Sequence, residues 1–181
     1  MKQNFYLPAE WEEQSGVQLT WPHAGTDWAH MLKEVQSCFI EIAKEISKRE
    51  KLLIVAPDVE NVKKQICKKA NTDNIRFFEC ETNDTWARDH GGISILDKDG
   101  NIGIIDFKFN GWGLKFAANK DNLITRKIFQ SQLFNAQYIN CLNFVIEGGS
   151  IESDGKGTLL TTSECLLSPN RNGAWDKDQI E

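Results

Sequence analysis

Two segments of this 181-residue chain repeat one arrangement: a carboxylate, a glycine pair, a short apolar stretch, an Asp-Gly turn and a second apolar stretch. The first copy runs from Asp89-His90-Gly91-Gly92 to the turn at Asp99-Gly100. The second runs from Glu147-Gly148-Gly149 to the turn at Asp154-Gly155. The acids lie 58 residues apart (147 − 89). Short apolar runs joined by Asp-Gly read as β-hairpins. A duplicated hairpin restricts the chain to a fold made of repeated β-containing units. If the units pack around a common centre, the acids that open them meet at one site.

The rest of the chain supplies the other elements. Gln14–Trp21 alternates and stops at Pro22, which predicts a strand. Thr26 and Asp27 are N-cap candidates for a helix to about Lys51, with Leu32, Val35, Phe39, Ile42, Ala43 and Ile46 at helical spacing. The continuous apolar run Leu52–Ala56 predicts a buried strand. Asp58 caps a helix over Val59–Ala70, and Ile75–Cys80 is a further strand. The first hairpin is expected as Ile93–Leu96 with Ile102–Phe109. A helix follows from Asp121 to about Leu133, then short strands at Tyr138–Asn140 and Asn143–Glu147. The second hairpin is Ser150–Ser153 with Thr158–Thr162. The order of elements is α/β with repeated units, and no GxGxxG or GxxxxGK[ST] phosphate loop occurs.

Composition narrows the function. The length suits one domain, read here as residues 1–181 of a single domain. Net charge is −5, which disfavours nucleic acid as a partner and suits a cationic one. No apolar run reaches transmembrane length, and the N-terminus carries no signal-peptide core, so no membrane partner and a cytoplasmic location are expected. Cys38, Cys67, Cys80, Cys141 and Cys165 are dispersed without CxxC spacing, which argues against a zinc site or disulfide framework. No metal or cofactor is expected. Trp11, Trp21, Trp28, Trp86 and Trp112 fall near loops or strand ends, where an indole either packs or lines a pocket.

Four stretches together resemble the agmatine deiminase and bacterial peptidyl-arginine deiminase family. They are Leu7-Pro8-Ala9-Glu10-Trp11-Glu12 with Thr20-Trp21-Pro22; Asn83-Asp84-Thr85-Trp86-Ala87-Arg88-Asp89-His90-Gly91; Phe109-Asn110-Gly111-Trp112-Gly113; and Glu147 to Glu152 through Thr161 to Leu167. They come in family order and span almost the whole chain. The resemblance implies a pentein-type fold, a pseudo-five-fold α/β propeller of ββαβ units. It also implies hydrolysis of a guanidinium to a ureido group and ammonia.

That chemistry sets requirements. A guanidinium is planar and cationic, and all its nitrogens donate, so carboxylates are its natural partners, two oxygens meeting two N–H groups. Its carbon is a poor electrophile, so hydrolysis also needs a strong nucleophile and a proton donor. By its match to the family motif, Asp89 is assigned to bidentate guanidinium binding, and Glu147 to the same headgroup. Arg88 is expected to pair a neighbouring carboxylate. Trp86 and Trp112 are the candidates to wall the substrate. An acid before Gly-Gly is on its own most often a turn residue, so the assignment leans on the matched contexts.

The family's H-x-D histidine and C-terminal nucleophilic cysteine have no counterpart here; Cys165 reads as core. The chain is therefore expected to be the N-terminal part of a guanidine deiminase, inactive alone and dependent on a complementing C-terminal chain or on self-association. The expected reaction of the complete protein is agmatine to N-carbamoylputrescine, with peptidyl-arginine deimination as the alternative. A non-catalytic guanidinium-binding module is the reading from another class.

Overall fold

The structure, a computed structural model, describes residues 5–180. It divides into two compact units. One is Glu13–Ala87. The other joins the described residues up to Glu12 with those from Arg88 onward, so β1 (Phe5–Tyr6), first in the chain, belongs to the later-built unit.

The Glu13–Ala87 unit is a three-stranded parallel sheet: β2 (Gly16–Thr20), β3 (Lys51–Ala56) and β4 (Ile75–Glu79), with β3 in the middle. Helices α1 (Leu32–Ser47) and α2 (Val59–Ile66) connect the strands. Leu52, Leu53, Ile54, Val55 and Ala56 are all buried, as a continuous apolar run in a central parallel strand requires. Leu52, Ile54 and Ala56 pack with Trp21, Ile40, Ala43, Val62 and Ile66. Asp58 caps α2 as expected, its Oδ1 accepting from Asn61 N–H at 2.9 Å.

Three expectations for α1 change. Asp27–Met31 forms a 3-10 turn with no side-chain cap from Thr26, so the α-helix starts later. The buried face runs through Phe39, Ile40, Ala43, Ile46 and Ser47, while Ile42 is exposed. The helix also ends before Lys51, which pairs with Gly16 as the first residue of β3.

The other unit has a four-stranded sheet ordered β1, β5 (Ile93–Asp97), β6 (Ile102–Lys108), β7 (Gln137–Val145). β5 and β6 are antiparallel; β6 and β7 are parallel and are joined through the helix Ile124–Gln130. This is one complete ββαβ unit. The expected pair of short strands is the single strand β7. Its register against β6 jumps from Phe107↔Cys141 to Lys108↔Val145, and the Asn140 side chain accepts from Leu142 N–H at the irregularity. The broken apolar pattern around Leu142 is thus a bulge.

The second hairpin is shorter than expected: β8 (Glu152–Ser153) with β9 (Leu159–Leu160). Both tips nonetheless share one device. Asp97 Oδ1 accepts from the N–H groups of Asp99 and Asn101, and Asp154 Oδ1 from those of Lys156 and Thr158. Gly100 and Gly157 follow at positive φ, 79° and 101°. The tips therefore align Asp97 with Asp154, 57 residues apart (154 − 97), and not the two Asp-Gly pairs, Asp99-Gly100 with Asp154-Gly155, that the sequence suggests.

The segment after β9 is a series of one-turn helices. At Asp176 a reciprocal cap opens Lys177–Ile180: Asp176 Oδ1 accepts from Gln179 N–H and Gln179 Oε1 from Asp176 N–H, both at 3.0 Å. Cys165, expected in the core, is only half-buried in the turn Ser163–Leu166.

Candidate functional site

Asp89 does not end an extended segment. It sits in a one-turn helix, Ala87–His90, half-buried. Its Oδ1 accepts from the backbone N–H of Gly149 at 3.1 Å, and its Oδ2 from the Trp112 indole N–H at 3.3 Å. The first acid therefore touches the glycine pair that follows the second acid. A Cβ on Gly149 would stand 2.3 Å from Asp89 Oδ1, so a larger residue there displaces the carboxylate.

Glu147 lies between the end of β7 and the 3-10 turn Gly148–Ser150. Its carboxylate is 3% exposed and accepts from Arg171 Nε at 2.8 and 3.1 Å. A buried carboxylate needs such a partner: breaking a buried pair costs about 3–5 kcal/mol. Asn172 braces the approach to Glu147. Its amide accepts from Val145 N–H and donates to Val145 O, each at 2.9 Å, standing in for a neighbouring strand at the end of β7.

Trp112 reaches Asp89 from an unusual backbone. Gly111, Trp112, Gly113 and Leu114 have φ of 69°, 58°, 82° and 67°. Leu114 N–H bonds Asn110 O and Lys115 N–H bonds Gly111 O, each at 3.0 Å, so this is one left-handed helical turn. Such a conformation costs L-residues about 1–2 kcal/mol each, here at Trp112 and Leu114. The surroundings hold it. Asn110 Oδ1 accepts from Gly113 N–H at 3.0 Å. The indole packs edge-on against Phe109 and Phe116, with centroids 5.0 and 5.7 Å away. Strain of this kind clusters at active sites and ligand clamps.

Arg88 pairs Glu10 at 2.6 Å, as expected of a structural arginine, and donates to Ile151 O at 3.3 Å. Both partners are about half exposed, so the pair itself is worth about 1 kcal/mol or less. Trp86 falls in the other unit, where it packs against Trp28 with centroids 6.0 Å apart. A depression of about 500 Å³ is lined by Trp112, Gly113, Lys115, Leu167, Pro169 and Arg171 among others; neither acid is among its lining residues. Among the described residues no group of three or more His, Cys, Asp and Glu side chains is placed to hold a metal ion.

Asp89, Trp112 and Gly149 are thus in direct contact, and Glu147 is held by a residue the sequence did not single out. The need for a cation was legible in principle, since a carboxylate at a strand end has to be solvated or paired. The bases downstream of Glu147 are Lys156, Arg171 and Lys177, and nothing in spacing selects among them.

The family model for Porphyromonas-type peptidyl-arginine deiminase matches residues 6–181. The chain belongs to that family. Among its relatives, a Mycoplasma capricolum protein described as a candidate agmatine deiminase is 38% identical over 99% of this chain and 49% of its own length. The agmatine deiminase of Pseudomonas aeruginosa is 36% identical over 98% of this chain and 48% of its own. Of solved structures, a cysteine-to-serine variant of the C. jejuni agmatine deiminase with substrate bound superimposes with a TM-score of 0.88 at 36% identity, covering 98% of this chain and 51% of that one. The chain spans about half the length of the curated relatives it matches. The fold of this family member is therefore that of mixed α/β deiminase structures over half their extent. No helix of the described residues is long and apolar enough to cross a membrane.

Proposed function

We propose that this chain forms the carboxylate half of a guanidinium site in a deiminase whose complete form converts agmatine to N-carbamoylputrescine and ammonia. The observation that carries the reading is the setting of Asp89. Each of its oxygens takes one fixed neutral donor, from Gly149 and from Trp112. A carboxylate oxygen has two lone-pair sites, so one per oxygen remains to meet two parallel N–H groups of a guanidinium. Because both fixed donors are neutral, they orient the charge of Asp89 without cancelling it.

Glu147 is the second acid of the site in this reading. Its ion pair with Arg171 holds the buried carboxylate in place and likewise uses one acceptor position on each oxygen. Trp112 is the aromatic wall beside Asp89, giving a cationic headgroup an apolar face. Agmatine is favoured as substrate by relatives of that name, one of them solved with its substrate bound. Peptidyl-arginine is the second reading, favoured by the family description.

The proton donor and the thiolate nucleophile are assigned to a part of the family fold outside this chain. No described cysteine adjoins either acid in sequence, and residues 1–181 alone are expected to bind and not to turn over. The same reading makes the chain the N-terminal part of one pentein propeller domain, the ββαβ unit of β5, β6 and β7 being one of its repeats.

The test measures ammonia release from agmatine and from a peptide arginine, by the 181-residue polypeptide and by the complete protein that carries it. Release from agmatine by the complete protein only is the expected result. Turnover by residues 1–181 alone contradicts the assignment of the nucleophile.

A further inference from the structure

Asn110 is buried, 9% exposed, and both ends of its amide are engaged. Oδ1 accepts from Gly113 N–H inside the left-handed turn at 3.0 Å, and Nδ2 donates to the backbone carbonyl of Asn170 at 2.8 Å. Asn170 immediately precedes Arg171, the partner of Glu147. The Asn110 carbonyl also closes the left-handed turn by accepting from Leu114 N–H. The turn and the loop meet again at Gly113, where a Cβ would stand 3.2 Å from Arg171 Nη1.

A capping asparagine needs only its acceptor oxygen. Here the donor end reaches a residue 60 positions away, and that residue belongs to the loop that braces the other acid. One side chain therefore stands behind both the Trp112 contact to Asp89 and the Arg171 contact to Glu147.

We propose that Asn110 is the positioning residue of the guanidinium site: without touching substrate, its single amide sets the partners of both acids at once. The proposal rests on the reading of Asp89 and Glu147 as guanidinium ligands, and one arm of its test is independent of that reading. With tryptophans labelled with ¹⁵N, the Trp112 indole N–H resonance is identified by its loss in Trp112→Phe. Asp89→Asn moves this resonance, Asn110→Ala moves it in the same direction, and Asp154→Ala at the second hairpin tip leaves it in place. Agmatine affinity falls about tenfold in Asn110→Ala, the scale of one hydrogen bond to a charged group.

The near-isosteric Asn110→Asp keeps the acceptor and loses the donor. It retains the indole resonance and still weakens agmatine binding, because the Arg171 loop is released. This variant also carries the test if the alanine variant does not fold. An indole resonance unmoved in Asn110→Ala overturns the proposal whatever the protein binds. Full agmatine affinity in Asn110→Asp overturns the link to Arg171. Wild-type protein that takes up no agmatine, with the resonance behaving as described, sinks the functional reading and supports the hold of Asn110 on the Trp112–Asp89 contact.

Discussion

The two hairpins share a tip and differ at the base. At the tips, Asp97 and Asp154 make the same pair of hydrogen bonds to the second and fourth backbone N–H groups beyond them. At the base, the glycines equivalent to one another at the same offset, Gly92 and Gly149 (149 − 92 = 57), face different neighbours. A Cβ on Gly92 would meet Ile104 and Thr125 side chains, whereas one on Gly149 would meet the Asp89 carboxylate. The first hairpin is embedded between β1 and β7; in the second, β8 and β9 form a two-stranded sheet, with Leu160 66% exposed. Duplicated local chemistry thus serves packing in one copy and the candidate site in the other.

The acids that open the copies are also held differently, and this difference gives the largest expected effect. Asp89 is fixed by neutral donors and Glu147 by the Arg171 guanidinium. Arg171→Met leaves Glu147 buried and unpaired, which is expected to destabilise the protein by about 3–5 kcal/mol in chemical denaturation. A loss under 1 kcal/mol would mean that Glu147 finds water or another partner.

The glycines come next. Gly92→Ala overfills an apolar contact and is expected to cost about 1–3 kcal/mol of stability while keeping guanidinium binding. Gly149→Ala displaces the Asp89 carboxylate and is expected to weaken binding more than it lowers the melting temperature. Equal effects of the two substitutions on binding would erase the division of labour between the copies.

The tips give the smallest effect and test their equivalence. The Asn101 side chain, followed by backbone N–H groups, holds the Asp97 carboxyl below the usual carboxylate range. Backbone N–H groups of Lys156 and Thr158 do the same for Asp154. A depressed carboxylate adds stability that is fully present above the unfolded-state pKa of about 4 and is lost as pH falls through the folded value. Melting temperature should therefore drop below about pH 4, and Asp97→Asn and Asp154→Asn should each flatten that acid limb. A limb that flattens in only one of them would show that the tips are alike in geometry alone.

Much of this fold is written in local pattern. The run Leu52–Ala56, the cap at Asp58 and the hairpin of β5 and β6 follow from periodicity and turn chemistry within a few residues. What pattern missed is set by contacts far apart in the chain. Helical spacing does not fix the rotation of α1, which buries Ile40, Ala43 and Ser47 and leaves Ile42 exposed. The one-turn helix at Asp89 had no pattern to reveal it. Of the candidate site, the acids and Trp112 were legible as motif residues. Asn110 is legible only as a member of the Phe109–Gly113 motif; its reach to Asn170, 60 residues on, and the pairing of Arg171 with Glu147, 24 residues back, are not. Neither position carries a local signal of that pairing.

The central claim is that Asp89, oriented by Gly149 and Trp112, grips a guanidinium. Calorimetric titration of the 181-residue chain with agmatine, beside Asp89→Asn, tests it most directly. The expected result is measurable binding by the wild type and a loss of about tenfold to a hundredfold in the variant, because the hydrogen bonds no longer go to a charged group. Unchanged affinity in Asp89→Asn would contradict it and remove this carboxylate from the site.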